Sequence, residues 1–332
     1  WRSLAWPDVA GGGRTRLLSL AAEAEALAGW TGERHAPAPP GEAEMAALQA
    51  ELDAAPEGVR RDLSDWLLPE WRASLGDAAA SVAVSLAQRA PLDLRTTMTR
   101  ATPEAALARL AEDGVAAEPG PLSPACLRVT DGARALLRAG AFLDGWVEIQ
   151  DAASQAAAGF ADAAPGERVL DYCAGGGGKA LALADAGAIV DAHDLDPRRM
   201  ADLPKRAARV GAKVRLVSGM PDENAYDLVF VDAPCSGSGA WRRNPDGKWA
   251  LSEPGLQRLR TAQQEALLGA ARALRPGGRM SYATCSLLQC ENGAQARAFA
   301  APAGFELEEE RNLTPLDGGD GFYMSRLRCN SR

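Results

Sequence analysis

Val169-Leu-Asp-Tyr-Cys-Ala-Gly-Gly-Gly-Gly-Lys179 is a short apolar run that breaks into four glycines and then resumes as an alanine- and leucine-rich stretch. That order predicts a buried strand over 168–173, a tight turn and a helix over 178–186. Glycines at such a turn let the backbone approach a ligand closely and present amide donors at a helix start. Downstream, strand and helix patterns alternate. Strands are predicted at 188–193, 213–218, 226–232, 278–284, 304–309 and 322–328, and helices at 197–210, 255–274 and 290–300. This alternation gives an α/β domain of Rossmann-like type, with a mostly parallel seven-stranded sheet. No long helix separates the final two strands, so the last is expected to run antiparallel. Ligands of such sheets bind outside the carboxyl ends of the strands.

Four of those strand ends carry reactive or polar side chains. The glycine turn is the first. Ile189-Val-Asp-Ala-His-Asp194 ends in a carboxylate suited to the two hydroxyls of a ribose, while Asp196, ahead of Pro197, reads as a helix cap. Ala180 follows Lys179 where a triphosphate-binding loop would place Ser or Thr, which argues against a nucleoside triphosphate. A dinucleotide and S-adenosylmethionine both fit the turn. The remaining two ends are Asp232-Ala-Pro-Cys-Ser-Gly-Ser-Gly239 and Tyr282-Ala-Thr-Cys-Ser286, each with a thiol just past the strand. Hydride transfer has no use for paired thiols. Methylation of a pyrimidine at carbon-5 does, because that carbon becomes nucleophilic only after a thiolate adds at carbon-6. A second thiol could assist release, and Asp232 could hydrogen-bond the base edge.

The 332 residues suffice for two or three domains, and 47% hydrophobic with 24% charged residues is an ordinary globular composition. No apolar run approaches the roughly 18 residues of a membrane span. The chain begins at Trp1, which reads as a start inside a longer protein, and it shows no export signal. Six cysteines without a C-x-x-C pair, and only two histidines, His35 and His193, argue against a metal site and for reduced thiols in the cytoplasm; the expected state is a monomer. Cys126, Cys290 and Cys329 are expected to be packing residues. A net charge of −8 argues against a polyanionic partner on its sum, but Arg198, Arg199, Lys205, Arg206, Arg209, Lys213 and Arg215 form a local basic run. Arg242, Arg243 and Lys248 flank the first thiol motif and suit RNA phosphates.

Upstream, helices are predicted at 1–32, 42–54 and 57–75, with the tryptophans of the last as packing residues. A small α/β module follows: helix 78–89, strand 92–98, a helix from Thr102-Pro103 to about Glu112, and strands at 114–118 and 125–130. Residues 148–160 are predicted as a helix leading into the sheet domain. The domains are therefore drawn at 1–76, 77–146 and 147–332.

The segments Cys-Ala-Gly-Gly-Gly-Gly-Lys (173–179), Asp232 to Gly239, Arg242-Arg-Asn-Pro-Asp-Gly-Lys-Trp249 and Tyr282 to Ser286 together resemble the RsmB/Sun (Fmu) family of RNA 5-methylcytosine methyltransferases. Val147-Glu-Ile-Gln-Asp-Ala-Ala-Ser-Gln155, Gln264 and Gly319-Asp-Gly-Phe-Tyr-Met-Ser-Arg-Leu327 resemble it too. The resemblance implies a class I methyltransferase domain preceded by an RNA-recognition-like module and the tail of a NusB-like helical domain. It implies Cys285 as the attacking nucleophile and Cys235 as the thiol that helps release product, with Asp232 on the cytosine edge and Lys179 in the same pocket. S-adenosylmethionine would lie over Cys173, Ala174, Gly175, Gly176, Gly177, Gly178 and Lys179, with Asp194 on its ribose and Asp232 nearby. The implied substrate is 16S ribosomal RNA. A transfer RNA, or a non-catalytic role in ribosome assembly, are the alternatives. Gly175-Gly176 replaces the family's Ala-Pro, which adds chain entropy to be lost on ordering. The residue that would face the adenine, Ser218 or Asp222, stays open.

Overall fold

The computed structural model describes residues 39–330 except Ala55. The predicted helix 1–32 lies outside them. The described chain falls into two compact units that divide between Pro69 and Glu70. The first holds helices Glu42–Ala54 and Glu57–Arg61 and a 3-10 turn at Asp65–Leu67. The helix expected over 57–75 is broken here. Asp62 adopts a left-handed φ of 55°, and a new helix, Leu68–Leu75, starts only after the turn.

The second unit carries two sheets. Strands β1 (Leu92–Thr96), β2 (Ala116–Pro119), β3 (Cys126–Asp131) and β4 (Val147–Ile149) form a small antiparallel sheet in the order β2-β3-β1-β4. Helix Pro103–Glu112 covers it. Its start is set by Thr102, whose hydroxyl accepts from the Ala105 N–H, and by Pro103 in the first turn. β4 corrects the expectation of a helix over 148–160 and a boundary at 146/147. Leu94–Thr96 pair with Val147–Ile149, so this segment belongs to the small sheet. The helix begins only at Ala152, where the Asp151 carboxylate accepts from the N–H groups of Ala153 and Ser154.

Strands β5 (Arg168–Asp171), β6 (Ile189–Ala192), β7 (Val214–Leu216), β8 (Tyr226–Asp232), β9 (Leu274–Thr284), β10 (Phe305–Leu313) and β11 (Phe322–Cys329) form the large sheet. Its order is β10-β11-β9-β8-β5-β6-β7, and β11 alone runs antiparallel to its neighbours. Arg275-Pro-Gly-Gly-Arg279, a sequence of turn-forming residues, makes a bulge within β9. The pairing jumps from Tyr226↔Leu274 to Leu228↔Arg279 across it. Two apolar layers bury the sheet: Val169, Leu181 and Leu203 belong to one, and Val229, Leu267 and Phe299 to the other. Together with the helices packed on both faces, they hold the carboxyl ends of β5, β8 and β9 along one edge.

The two sheets are stitched by charge. Glu148 of β4, almost fully buried, accepts from Arg206 at 2.8 Å and also pairs with Arg209. Arg95 of β1 donates to Asp185 at 3.0 Å and to Gln150 at 2.8 Å.

Candidate active site

The glycine turn closes the end of β5. Gly175 and Gly177 both take positive φ, 51° and 79°. A β-carbon on Gly177 would lie 2.2 Å from Leu203 Cδ1, so glycine serves both the turn and the packing beneath it. The Ala174 N–H donates to the His193 carbonyl at 2.9 Å, tying the turn to the end of β6. The Gly175 N–H donates to Asp194 Oδ2 at 2.9 Å, and Arg206 donates to the Gly176 carbonyl. These contacts shape a cleft of about 180 Å³ bordered by Asp171, Gly175, Lys179, Arg199 and Asp232.

Asp194 is buried and already engaged. Besides Gly175 it accepts from the Asp196 N–H at 3.0 Å and from Arg199 at 3.0 Å. The Arg199 side chain is 58% exposed, and swinging outward would free carboxylate lone pairs for a ribose. Asp171 is the opposite case. It is wholly buried, and neither carboxylate oxygen has a hydrogen-bond partner of ordinary geometry. Burial, reinforced by the charge of Asp232, pushes its pKa up to about 7. Lys179 and the nearby Ala180 amide offset this only in part. An orphaned carboxyl beside a glycine cradle fits a ligand whose near end is cationic.

β8 and β9 bring the two thiols together. Asp232 pairs with Ala283 in the parallel register, so both chains pass the sheet edge side by side. Beyond it Cys235 Sγ and Cys285 Sγ lie 3.5 Å apart, both half-buried. The hydrogen bond to Cys285, and then burial, hold the Cys235 thiol well above its ordinary pKa. The Lys179 ammonium donates to Asp232 Oδ2 at 2.7 Å and stands 5.2 Å from the centre of the Phe322 ring. Burial works against its charge, but Asp232, with smaller contributions from Cys285 and Asp171, more than offsets it and raises its pKa. Lys179 therefore links the cleft, Asp232 and Cys285 electrostatically. His193 is buried, and its Nδ1 donates to the Tyr172 carbonyl at 2.8 Å. That geometry suits packing rather than proton transfer.

Of the predicted phosphate contacts, Arg242 and Arg243 are ion-paired within the chain and Lys248 is buried. The Arg242 side chain is only 6% exposed and donates to Asp320 at 2.8 Å and to the Gly319 carbonyl. Arg243 donates to Asp320 at 2.6 Å and to Asp151 at 2.9 Å, and Lys248 is buried. The Arg242 and Gly319 segments recognised in the sequence thus bind each other. The arginines of the 198–215 run also pair with carboxylates: Arg198 with Asp196, Arg199 with Asp194, Arg206 and Arg209 with Glu148, Arg215 with Asp191. Lys205 and Lys213 are exposed. Burial pushes the Cys126 and Cys290 thiols up to about 12, which suits inert packing residues. Sequence reasoning passed over Asp171 and Glu291. The buried Glu291 carboxylate accepts from Ser236 and Ser286, the residues that follow the two cysteines. A serine after each cysteine was the available signal.

Comparison with known proteins agrees with this architecture. Residues 160–316 match the family described as 16S rRNA methyltransferase RsmB/F, and residues 63–135 match its ferredoxin-like domain. Relatives named ribosomal RNA small subunit methyltransferase B include one from Salmonella arizonae, 34% identical over 72% of this chain and 60% of its own length. Another, from Klebsiella pneumoniae, is 32% identical over 79% of this chain and 65% of its own. The chain thus spans less than two thirds of these relatives. Among solved structures, PH0851 superposes with a TM-score of 0.76 at 27% identity, covering 86% of this chain and 72% of that one. A methyltransferase homolog from Pyrococcus horikoshii has a TM-score of 0.71 at 23% identity over 84% of this chain and 99% of its own, a likeness of fold.

Proposed function

The chain belongs to the RsmB/F methyltransferase family, and from that premise we propose that it transfers a methyl group from S-adenosylmethionine to carbon-5 of a cytosine in RNA, with 16S ribosomal RNA as the substrate. One observation carries the chemistry. Two thiols stand 3.5 Å apart at the carboxyl edge of the sheet, beside a Lys179–Asp232 pair that borders the glycine cleft.

Cys285 Sγ, as thiolate, bonds to carbon-6 of the target base, and the carbon-5/carbon-6 double-bond electrons move toward carbon-5. Asp232, held by Lys179, faces the base edge and stabilises the charge that collects there. Once carbon-5 carries the methyl, its proton passes to the Cys235 sulfur, present as thiolate, the carbon–hydrogen electrons re-form the double bond, and the carbon-6–sulfur bond breaks with its electrons returning to Cys285. Cys235, adjacent to that sulfur, assists the release. When bound over residues 173–179, S-adenosylmethionine supplies the methyl as a positively charged sulfonium. The orphaned Asp171 carboxyl suits its cationic amino-acid end, and Asp194 suits its ribose after Arg199 moves aside. The cleft is smaller than the roughly 300 Å³ of common ligand sites, consistent with Arg199 covering its nucleoside end. Leu195, 79% exposed beside Asp194, is an apolar surface that an adenine would cover.

The target base must leave its stack to reach a sulfur at this depth, so a single-stranded loop or an opened helix is expected. Bisulfite sequencing of small-subunit RNA transcribed without modifications, incubated with protein and S-adenosylmethionine, tests the proposal. A protected cytosine that depends on both components is the expected result. Methyl incorporation with every cytosine still converted would refute carbon-5 chemistry.

A further inference from the structure

Glu291 lies on the loop between Cys285 and the helix Gly293–Ala303, and its side chain is completely buried. A charge taken so far from water is tolerated only where donors surround it. Here one oxygen accepts from the Ser236 N–H at 2.8 Å and from Gln263 Nε2 at 3.0 Å. The other accepts from the Ser236 hydroxyl and from the Ser286 hydroxyl at 2.6 Å. Gln263 also donates to the Pro234 carbonyl at 2.9 Å. Asn292 adds a second brace: it accepts from the Thr284 hydroxyl at 2.6 Å and donates to the Ser286 carbonyl at 2.9 Å. Each cysteine is therefore held through both of its chain neighbours, Pro234 and Ser236 on one side, Thr284 and Ser286 on the other. The two serine hydroxyls lie 3.4 Å apart, and Ser238 meets Ser286 through its hydroxyl and Ser236 through its N–H; among the described residues Glu291 is the one carboxylate that accepts from both.

We propose that Glu291 is a positioning residue that fixes the two sulfurs as a pair, by tying the loop after β8 to the loop after β9. It touches neither sulfur and acts through Ser236 and Ser286. Its carboxylate accepts from four donors, two at each oxygen, whereas an amide in its place carries no charge and must reverse both serine hydroxyl bonds, which weakens the tie between the loops. The consequence for reaction rests on the proposal that the thiols act together on one base. The consequence for sulfur spacing does not.

Two readouts of E291Q separate these. The first needs no RNA: diamide joins neighbouring thiols into a disulfide while itself taking up the two thiol hydrogens, and intact mass follows the Cys235–Cys285 link. The second is methyl transfer with kcat and KM for S-adenosylmethionine determined apart. A shift of about 1 Å in a reacting group lowers rate by about 10²-fold, so kcat should fall toward that extent while the cofactor KM stays within about twofold. Cross-linking should slow by about tenfold, since disulfide geometry is narrow. Wild-type cross-linking in a folded E291Q overturns the proposal, whatever kcat does. Should E291Q fail to bind cofactor, S236A decides instead: it removes one hydroxyl and keeps the amide, and unchanged cross-linking and kcat there overturn the proposal equally. If the wild-type protein methylates no cytosine yet E291Q cross-links slowly, the pairing role stands and the assigned reaction falls.

Discussion

Asp171→Asn isolates a single buried carboxyl whose protonation reaches both stability and cofactor binding. Burial raises its pKa in the folded chain from 3.8 to about 7. The folded state then holds a proton that the unfolded state has released, so this carboxyl's favourable share is complete below about pH 4 and is lost as pH rises toward and through 7. A displacement of about 3 units corresponds to about 4 kcal/mol at most. Asparagine has nearly the same shape and does not titrate, and whatever its amide costs is independent of pH. Relative to wild type, the variant should therefore gain about 2 kcal/mol between pH 5 and pH 7 in urea unfolding followed by tryptophan fluorescence.

Cofactor binding should show the mirror image. The charged groups facing this carboxyl are Asp232, Asp194 and Lys179, and a cationic ligand arriving among them favours the ionised form. An α-amino group stays protonated below pH 7, so the comparison is clean there. With a pKa near 7, the ionised fraction rises about fifteenfold between pH 5.5 and 7, and the calorimetric affinity for S-adenosylmethionine should strengthen by about that factor. Asp171→Asn should bind weakly and equally at both values. Parallel stability curves for the two proteins, or a wild-type affinity indifferent to pH, would refute both the protonation state and the assignment of Asp171 to the cationic end.

Cys285→Ala should abolish methyl transfer and leave calorimetric cofactor binding within about twofold, since the role proposed for its thiol is toward the base. Cys235→Ala should accumulate a protein–RNA adduct that persists in denaturing electrophoresis, and free methylated product without adduct would contradict its part in release. Arg242→Ala should cost about 2 kcal/mol in thermal unfolding by leaving the buried Asp320 to Arg243 alone, while the salt dependence of RNA binding stays unchanged. A flattened salt slope would restore it to the phosphate contacts. Gly177→Ala must accept a positive φ and displace Leu203, so a loss of about 1–2 kcal/mol with weakened cofactor binding is expected by melting and calorimetry.

Local patterns carried most of the large sheet into the sequence. An apolar run ending in glycines, and thiols just past two strand runs, are signals contained within a few residues, and the strand order brings them to one edge. What stayed hidden depends on partners remote in the chain. Nothing near Arg242 announces Asp320, so a buried ion pair looked like surface charge. Nothing near Glu291 announces Ser236, although the repeated Cys-Ser was visible. β4 was lost for a different reason: three residues are too few for an alternation to register, and the Asp151 cap that ends the ambiguity was read as helix interior.

The pairing of Glu148 with Arg206 has a practical corollary for protein engineering. Arg206 grips the Gly176 carbonyl with one nitrogen and the small sheet's carboxylate with others. A fragment trimmed to begin at Ala152 would strip the counter-ion from Arg206 and Arg209 together and loosen the latch on the glycine turn. Anyone transplanting the large-sheet region into another scaffold must carry residues 92–149 with it, because its glycine turn is fastened from the neighbouring sheet.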